Sequence, residues 1–462
     1  MKNTTYIIIA VSAILTFSGC AKMLDSISPK GAIRTDELTD KDLGLLTNGT
    51  MHMFEALVSN LWFDGDYLAE DFTGGPGYIL VDIHAETQSA SSSLAKSRWQ
   101  YCFNYVNYAN QLLLAAKSAT NTTADVRYAL GVAYFFRAMI YYNLVIRYGG
   151  VPVITEPAKL DIVPRSSEKD VYAFILSDLT EAEKNLDHFS SFANPSLEAV
   201  WTLAAKVNLW LGNKETAAAY AEKVLEGKYF TLSKTSEEFA SMFIYGTSSK
   251  EIIFAPINIR TTGQIRLFES VNDTDGSFLY SPDPKFFSGL YSDNYGTGDI
   301  RKPATFTVDD PSRVIKFPNG SLTCHQFIFN SGPSESPLLV FRLADVYLVL
   351  AEAYGNTDDG IKSLKTLMSS RYSSVSLPAS MTDSEYENLL LDENLREFYS
   401  EGRRWFDVKR FCFLYHPQDF HTWIDTQYAS WKGRDFLLYW PIPQEERDKA
   451  KGQYTQNPGY EQ

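Results

Sequence analysis

The sequence predicts a mostly α-helical protein made of packed helical pairs, with an irregular part of loops and short strands carried on that frame. Three observations predict it. Apolar residues recur at helical spacing over separate tracts within 40–58, 98–118, 123–147, 167–186 and 195–225. The hairpin around Gly212-Asn213 is echoed 143 residues later at Gly355-Asn356, where Gly360, Leu364, Leu367 and Met368 fall at the places of Ala217, Ala221, Val224 and Leu225. Between the echoes, from Thr231 to Pro337, short apolar runs such as Glu251 to Ala255, Val314 to Phe317 and Gln326 to Phe329 are separated by Gly, Pro, Asn and Asp.

Composition bounds the function. With 462 residues and 45% hydrophobic content the chain can bury a large core. Its net charge of −14 argues against nucleic acid and against a basic membrane-surface patch. Tyr (28) and Trp (8) are abundant, and aromatics beyond the needs of a core line sites for flat, amphipathic ligands. Cys20, Cys102, Cys324 and Cys412 are far apart with no Cys-x-x-Cys pair, which argues against a zinc site or a disulfide framework.

In chain order, Lys2, the apolar run Tyr6 to Phe17 and then Ser18-Gly19-Cys20 form an export signal, too short to span a membrane. From Asp40 to Val58, Leu43, Leu46, Thr50, Met53, Phe54 and Leu57 mark an amphipathic helix. Residues 60–97 lose periodicity. There Trp62, Phe63, Tyr67, Phe72 and Tyr78 alternate with Asp64, Asp66, Glu70, Asp71 and Asp82, and a long irregular segment in a compact protein is often functional. Helix returns from Arg98 to Ser118, with Trp99, Cys102, Val106 and Leu113 inward. A second helix runs from about Thr123 to Arg147 and is stopped by Gly149-Gly150. Ser167 caps a third helix, Pro195 stands at the start of a fourth, and Arg342 to Tyr354 opens the second hairpin. Ala204, Ala217, Ala351 and Ala353 let paired helices approach closely, as in tetratricopeptide-type repeats.

The tract 383–410 reads as one helix with Asp383 at its N-cap and Tyr386, Leu389, Leu390, Phe398, Trp405 and Val408 along a buried stripe. Around it run Glu393, Arg396, Glu397, Glu401, Arg403, Arg404, Asp407 and Arg410, which predicts a partly buried ion network pairing Glu393 with Arg396 and Asp407 with Arg403 and Arg410. Acid and base catalysis by Glu397 and Glu401 is the alternative, disfavoured because adjacent turns of one helix do not flank a scissile bond.

Glu393, Glu397, Glu401, Gly402, Arg404, Asp407 and Arg410 match the C-terminal signature of the SusD/RagB family of nutrient-binding outer-membrane lipoproteins, which the chain resembles. Asn394, Phe398 and Val408 depart from that signature's usual Arg, Leu and Leu. Further similar tracts are Ala129 to Val153, Gly298-Asp299-Ile300-Arg301, Arg342-Leu343-Ala344-Asp345, Tyr439-Trp440-Pro441-Ile442-Pro443 and Gln456-Asn457-Pro458-Gly459-Tyr460. Phe17-Ser18-Gly19-Cys20 resembles a bacterial lipobox, with an ordinary secretory leader as the alternative. The resemblance implies a lipoprotein signal peptide over 1–19, a lipid-anchored tether over 20–35 beginning at lipidated Cys20, and one SusD-like domain over 36–462. Its helical repeat parts would be about 36–60, 98–230 and 338–411, and its irregular ligand-binding parts about 60–97 and 231–337.

The resemblance further implies a protein of the outer membrane's outer face, without enzymatic activity, that captures oligosaccharide and passes it to a SusC-like TonB-dependent transporter. A RagB-like peptide binder, or a scaffold that docks the transporter without any small ligand, are the alternatives. Stacking on sugar rings is expected of Trp62, Tyr67, Tyr78, Tyr280, Tyr291 and Tyr295, and polar contacts of Asp71, Arg266 and Asp293. Trp99 and Trp405 are assigned to helix packing. No cofactor is expected: Asp273 to Ser277 lacks the ligands of a calcium loop, and the six histidines show no metal-ligand spacing. There is no nucleophile elbow, phosphate loop or dinucleotide fingerprint either.

Overall fold

The computed structural model describes residues 40–61, 64–74, 88–157, 161–244, 247–256, 280–283, 289–292, 294–306, 314, 316, 337–428 and 431–460. The leader with Cys20, Trp62, Tyr78, Arg266, Asp293, the acidic turn Asp273 to Ser277 and the run Gln326 to Phe329 lie outside them.

Helix α1 (Asp40–Leu61) buries Leu43, Thr47, Thr50, Phe54 and Leu57, while Leu46, expected inward, is exposed. Thr47 and Thr50 tolerate burial because their hydroxyls donate to the carbonyls of Leu43 and Leu46 one turn back. A short helix α2 (Asp64–Leu68) and strand β1 (Phe72–Gly74) follow in the tract expected to be irregular. One and a half turns are too few for periodicity to show in sequence.

Helix α3 (Ser93–Ser118) begins five residues before the expected Arg98 and buries Ala95 and Trp99. Helix α4 (Ala124–Tyr148) is capped by the Thr123 hydroxyl, which accepts from the Val126 amide, and stopped by Gly149 at φ 69°. By length and composition α4 could cross a membrane, but its apolar faces are covered by protein on nearly every side. It is the core helix, with α3 and α5 (Glu168–Asn185) packed on it and α1 closing the remaining side.

Helices α6 (Leu197–Trp210) and α7 (Lys214–Glu226) form the first hairpin, and Ser196, one residue after the expected Pro195, provides the cap. After them come α8 (Ser236–Ser241), β2 (Ile252–Phe254), β3 (Tyr280–Pro282), β4 (Gly296–Thr297), α9 (Arg301–Thr305) and β5 (Phe341–Arg342). The second hairpin, α10 (Leu343–Tyr354) and α11 (Asp358–Arg371), stacks on the first through α7 and α10. Strand β6 (Ser374–Val375) leads to α12 (Asp383–Phe398), α13 (Arg404–Tyr415), α14 (Phe420–Gln427) and the terminal helix α15 (Gln444–Lys449). The strands pair antiparallel as β1 with β3, β2 with β5 and β4 with β6.

The expectation of one helix over 383–410 is corrected. The chain leaves helical geometry after Phe398, passes through Ser400 at φ 61° and Gly402 at φ 72°, and restarts at Arg404. Thr382, with Glu385 in a reciprocal capping box, replaces Asp383 as the cap.

Two apolar clusters result. The larger joins all the long helices; the smaller gathers Phe72, Phe239, Phe243, Leu290, Phe306 and Tyr399 beneath the irregular part. Each needs a means of holding the other in register, because apolar contact alone is not directional.

Two helical glycines differ in their surroundings. A Cβ on Gly360 would lie 1.9 Å from the Gly355 carbonyl oxygen, whereas Gly49 on α1 has open space. Gly360→Ala is expected to destabilise the fold by about 1–3 kcal/mol. Gly49→Ala should stabilise it by about 0.5–1 kcal/mol, both read by chemical denaturation.

Candidate functional site

Glu393, Glu397 and Glu401 of the 393–410 tract meet one lattice of cations at the boundary between the two cores. Glu397, fully buried on the last turn of α12, accepts hydrogen bonds from Arg301 Nη1 at 2.9 Å and Arg371 Nη2 at 2.8 Å, and from Arg342. Arg301 also binds Asp299 and Glu393, each at 2.7 Å. Glu401 holds Arg342 at 2.8 Å and Lys316 at 2.6 Å, and Glu251 completes the lattice on Arg342 and Arg371. Phe239 of the smaller core and Phe398 of the larger both lie against the Arg342 guanidinium.

The cations come from four places: the first residue of α9, the irregular segment at 316, the residue before α10 and the last residue of α11. Burial alone would raise the Glu397 carboxyl, but the charges of Arg371, Arg342 and Arg301 hold it well below the usual carboxylate range. Burial lowers the Lys316 ammonium to about 8 against the opposing pull of Glu401. The pairs Glu393 with Arg396 (3.6 Å) and Asp407 with Arg410 (2.6 Å) form as expected. Arg403 instead turns to Asp345 at 2.5 Å, which Lys206 also holds at 2.8 Å, because the helix break swings it away from Asp407. Asn394, in place of an arginine, returns its amide to the Leu390 carbonyl. Held ionised by three buried guanidinium groups, the Glu397 carboxylate is a poor proton donor or acceptor and serves to hold structure.

The helix break also serves as a socket. Asp66 on α2 accepts the amides of Gly402 at 2.7 Å, Arg403 at 3.0 Å and Arg404 at 3.4 Å, acting as a remote N-cap for α13. Gly65 has to be glycine, since a Cβ there would lie 2.1 Å from the Gly402 carbonyl oxygen. Asp64 beside it binds Arg98 at 3.0 Å and Arg147 at 3.1 Å, tying α2 to α3 and α4.

On this base the two irregular segments singled out for ligand contact come together. Strand β1 pairs with β3 in the register Phe72 to Pro282, Thr73 to Ser281 and Gly74 to Tyr280, and the Asp283 amide donates to the Asp71 carbonyl at 2.8 Å. Below them Tyr399 stacks on Phe72 at 5.3 Å and packs on Phe306 at 5.6 Å.

The expected contact residues divide accordingly. Tyr67 lies on α2 and Tyr280 on β3, flanking the junction. Asp71 is fully buried, so its side chain sits inside the frame. Tyr291 is half-buried with its hydroxyl bonded to Thr305 at 3.1 Å and to the Arg396 carbonyl at 3.2 Å, and burial pushes that phenol up. Tyr295 is half-buried against the larger core with Arg396 over its ring. These three support the segment in this structure. Trp99 and Trp405 are buried in the helical core as expected.

Sequence reasoning found the Asp299-x-Arg301 and Arg342 tracts but not their common target. It missed Asp66, Glu251, Lys316 and Arg371, whose partners lie far off in the chain; nothing local marks them.

Comparison with known proteins agrees with this architecture. Residues 325–460 match the family model described as the SusD family, and residues 72–209 match one described as "Starch-binding associating with outer membrane". A SusD-like protein, P38, from Formosa agariphila is 23% identical over 88% of this chain and 91% of its own length. Among solved structures, a SusD superfamily protein from Bacteroides vulgatus superposes with a TM-score of 0.75 at 18% identity, covering 91% of this chain and 99% of that one. A protein described as a laminarin-binding SusD-like protein gives 0.71 at 21% identity, over 90% and 99%.

Removing one charge from the lattice strands buried cations. Glu397→Gln is expected to cost about 3–5 kcal/mol in a denaturation titration. Burial, opposed by the three amides, raises the Asp66 carboxyl to about 7, above its unfolded value of 3.8. Between those values the native state holds a proton that the unfolded chain releases, so this residue's contribution falls as pH rises. Stability followed from pH 4 to 7 should therefore drop more in the wild type than in Asp66→Asn.

Proposed function

The chain belongs to the SusD/RagB-like family, and from that premise we propose that it is a cell-surface glycan-binding lipoprotein that captures oligosaccharide without chemically changing it. The observation that supports the reading is the β1–β3 pairing, which joins 72–74 of one aromatic, acid-rich segment to 280–282 of another distant in sequence, with Phe72 in the smaller apolar cluster. A pyranose offers an apolar C–H face and a rim of hydroxyls. Aromatic rings stack on the first, and carboxylates, amides or guanidinium groups bind the second.

In this reading Trp62, Tyr67, Tyr78 and Tyr280 supply the stacking faces, and Arg266 and Asp293 the polar contacts. Tyr291, Tyr295 and Asp71 act from beneath by fixing the backbone that presents them. The laminarin-binding relative of the same fold supports a glycan ahead of a peptide. Lipidation at Cys20 would hold the protein on the outer membrane, facing outward, and a SusC-like TonB-dependent transporter would receive the captured sugar.

The test is calorimetric titration of the soluble form beginning at Ala21 against neutral and acidic oligosaccharides and short peptides, repeated with Trp62→Ala. Binding of one glycan class, weakened about tenfold or more in the variant, is the expected result. Heat with peptides alone would favour a peptide binder, and no heat from folded protein would favour a docking scaffold.

A further inference from the structure

Away from the β1–β3 face, a groove of about 780 Å³ opens between the segment 230–234 and the outer face of α11. Its size lies in the range of ligand sites, roughly 300–1,000 Å³. Phe230 forms part of one wall, and Tyr347 on α10 lies in the floor. Lys362 and Lys365 rise from α11 one turn apart, and Lys234 faces the groove from the opposite wall.

The walls are fixed. The Ser233 amide donates to Glu251 at 2.7 Å and its carbonyl accepts from Arg371 at 2.7 Å, so the same buried lattice that anchors the β1–β3 face sets the groove's shape. Beyond the groove the aromatic surface continues, since Phe230 meets Phe189 edge to face at 4.7 Å and exposed Tyr229 lies beside it.

The charge is the deciding feature. In a chain of net charge −14 the lining carries three lysines against one acid, Asp358, and among the described residues none of the three lysine ammonium groups is paired with a carboxylate. Lysine is a point charge on a flexible stem, suited to an anion whose orientation varies along a polymer. Rings for sugar C–H faces, hydroxyls from Thr231, Thr366 and Ser369 for sugar hydroxyls, and lysines for anionic substituents together describe one ligand chemistry.

We infer that this groove is a second glycan subsite, selective for acidic oligosaccharides that carry uronate carboxylates. It rests on the glycan-binding reading above and adds a ligand class and a location to it. A bound uronate chain lies with its rings against Phe230 and Tyr347 and its carboxylates toward Lys234, Lys362 and Lys365.

The experiment titrates the soluble protein with a uronic-acid oligosaccharide and a neutral hexose oligosaccharide of equal length, in the wild type, in Lys362→Gln/Lys365→Gln and in Trp62→Ala. Both lysines are exposed, so the double variant should keep its thermal midpoint. The inference expects uronate affinity to fall on the order of tenfold in the lysine variant, to weaken as salt is raised, and to survive Trp62→Ala. Uronate binding unchanged in the lysine variant would overturn the groove while leaving glycan capture intact. Neutral glycan bound and uronate ignored would overturn the acidic class. Oligoglutamate bound equally and lost in the same variant would make the groove a site for acidic peptide. Sedimentation showing a dimer dispersed by the lysine substitutions would assign the groove to a second copy of the chain. No heat with any probe would count against both readings.

Discussion

A carboxylate taken out of water with no cation beside it costs several kcal/mol and ordinarily takes up a proton instead. Glu397 stays charged because Arg301, Arg342 and Arg371 converge on it from three separate elements, and Lys316 with Glu401 and Glu251 extends the same lattice. The compensation works only when α9, the start of α10, the end of α11 and the segment at 316 are all in place. The lattice is therefore less a source of net stability, since well-packed apolar residues of the same volume often serve as well, than a demand on geometry. It sits where such a demand is needed, between two apolar clusters that could otherwise slide on one another.

From that point the route to function is short. The break after Phe398 frees Glu401 to reach Arg342 and Lys316 and turns three amides toward Asp66. Asp66 and its neighbour Asp64 dock α2 on the helical frame, and β1 follows directly from α2 to pair with β3. A binding face assembled from loops gains affinity when its backbone is already ordered, because less entropy remains to be lost on binding. Here the order comes from charges buried beneath the β1–β3 pair.

The helical half was legible in the sequence because its signals are local. Ser167 caps the helix it was placed to cap, Thr123 stands at the expected start of the second helix, Gly212 and Gly355 turn the two hairpins, and the hairpin echo corresponds to stacked helical pairs. The 393–410 charges announced a buried network, but the break inside it did not show, since Ser400 in left-handed geometry has no strong local signature. The irregular half was legible only as composition. Asp71, Tyr291 and Tyr295 share the residue types of a sugar site, yet the fold uses them inward; which of two identical side chains faces solvent is decided by partners such as Arg396, far away in the chain.

If the lattice is what sets the binding face on the frame, its loss should be felt at a distance and selectively. Native-state hydrogen exchange of the soluble protein, compared between the wild type and Glu397→Gln, measures this at each amide. The account predicts that β1, β3, α9 and the first turn of α13 lose protection together while α4, α6 and α7 keep theirs. Loss confined to α12, or spread evenly over every helix, would contradict it.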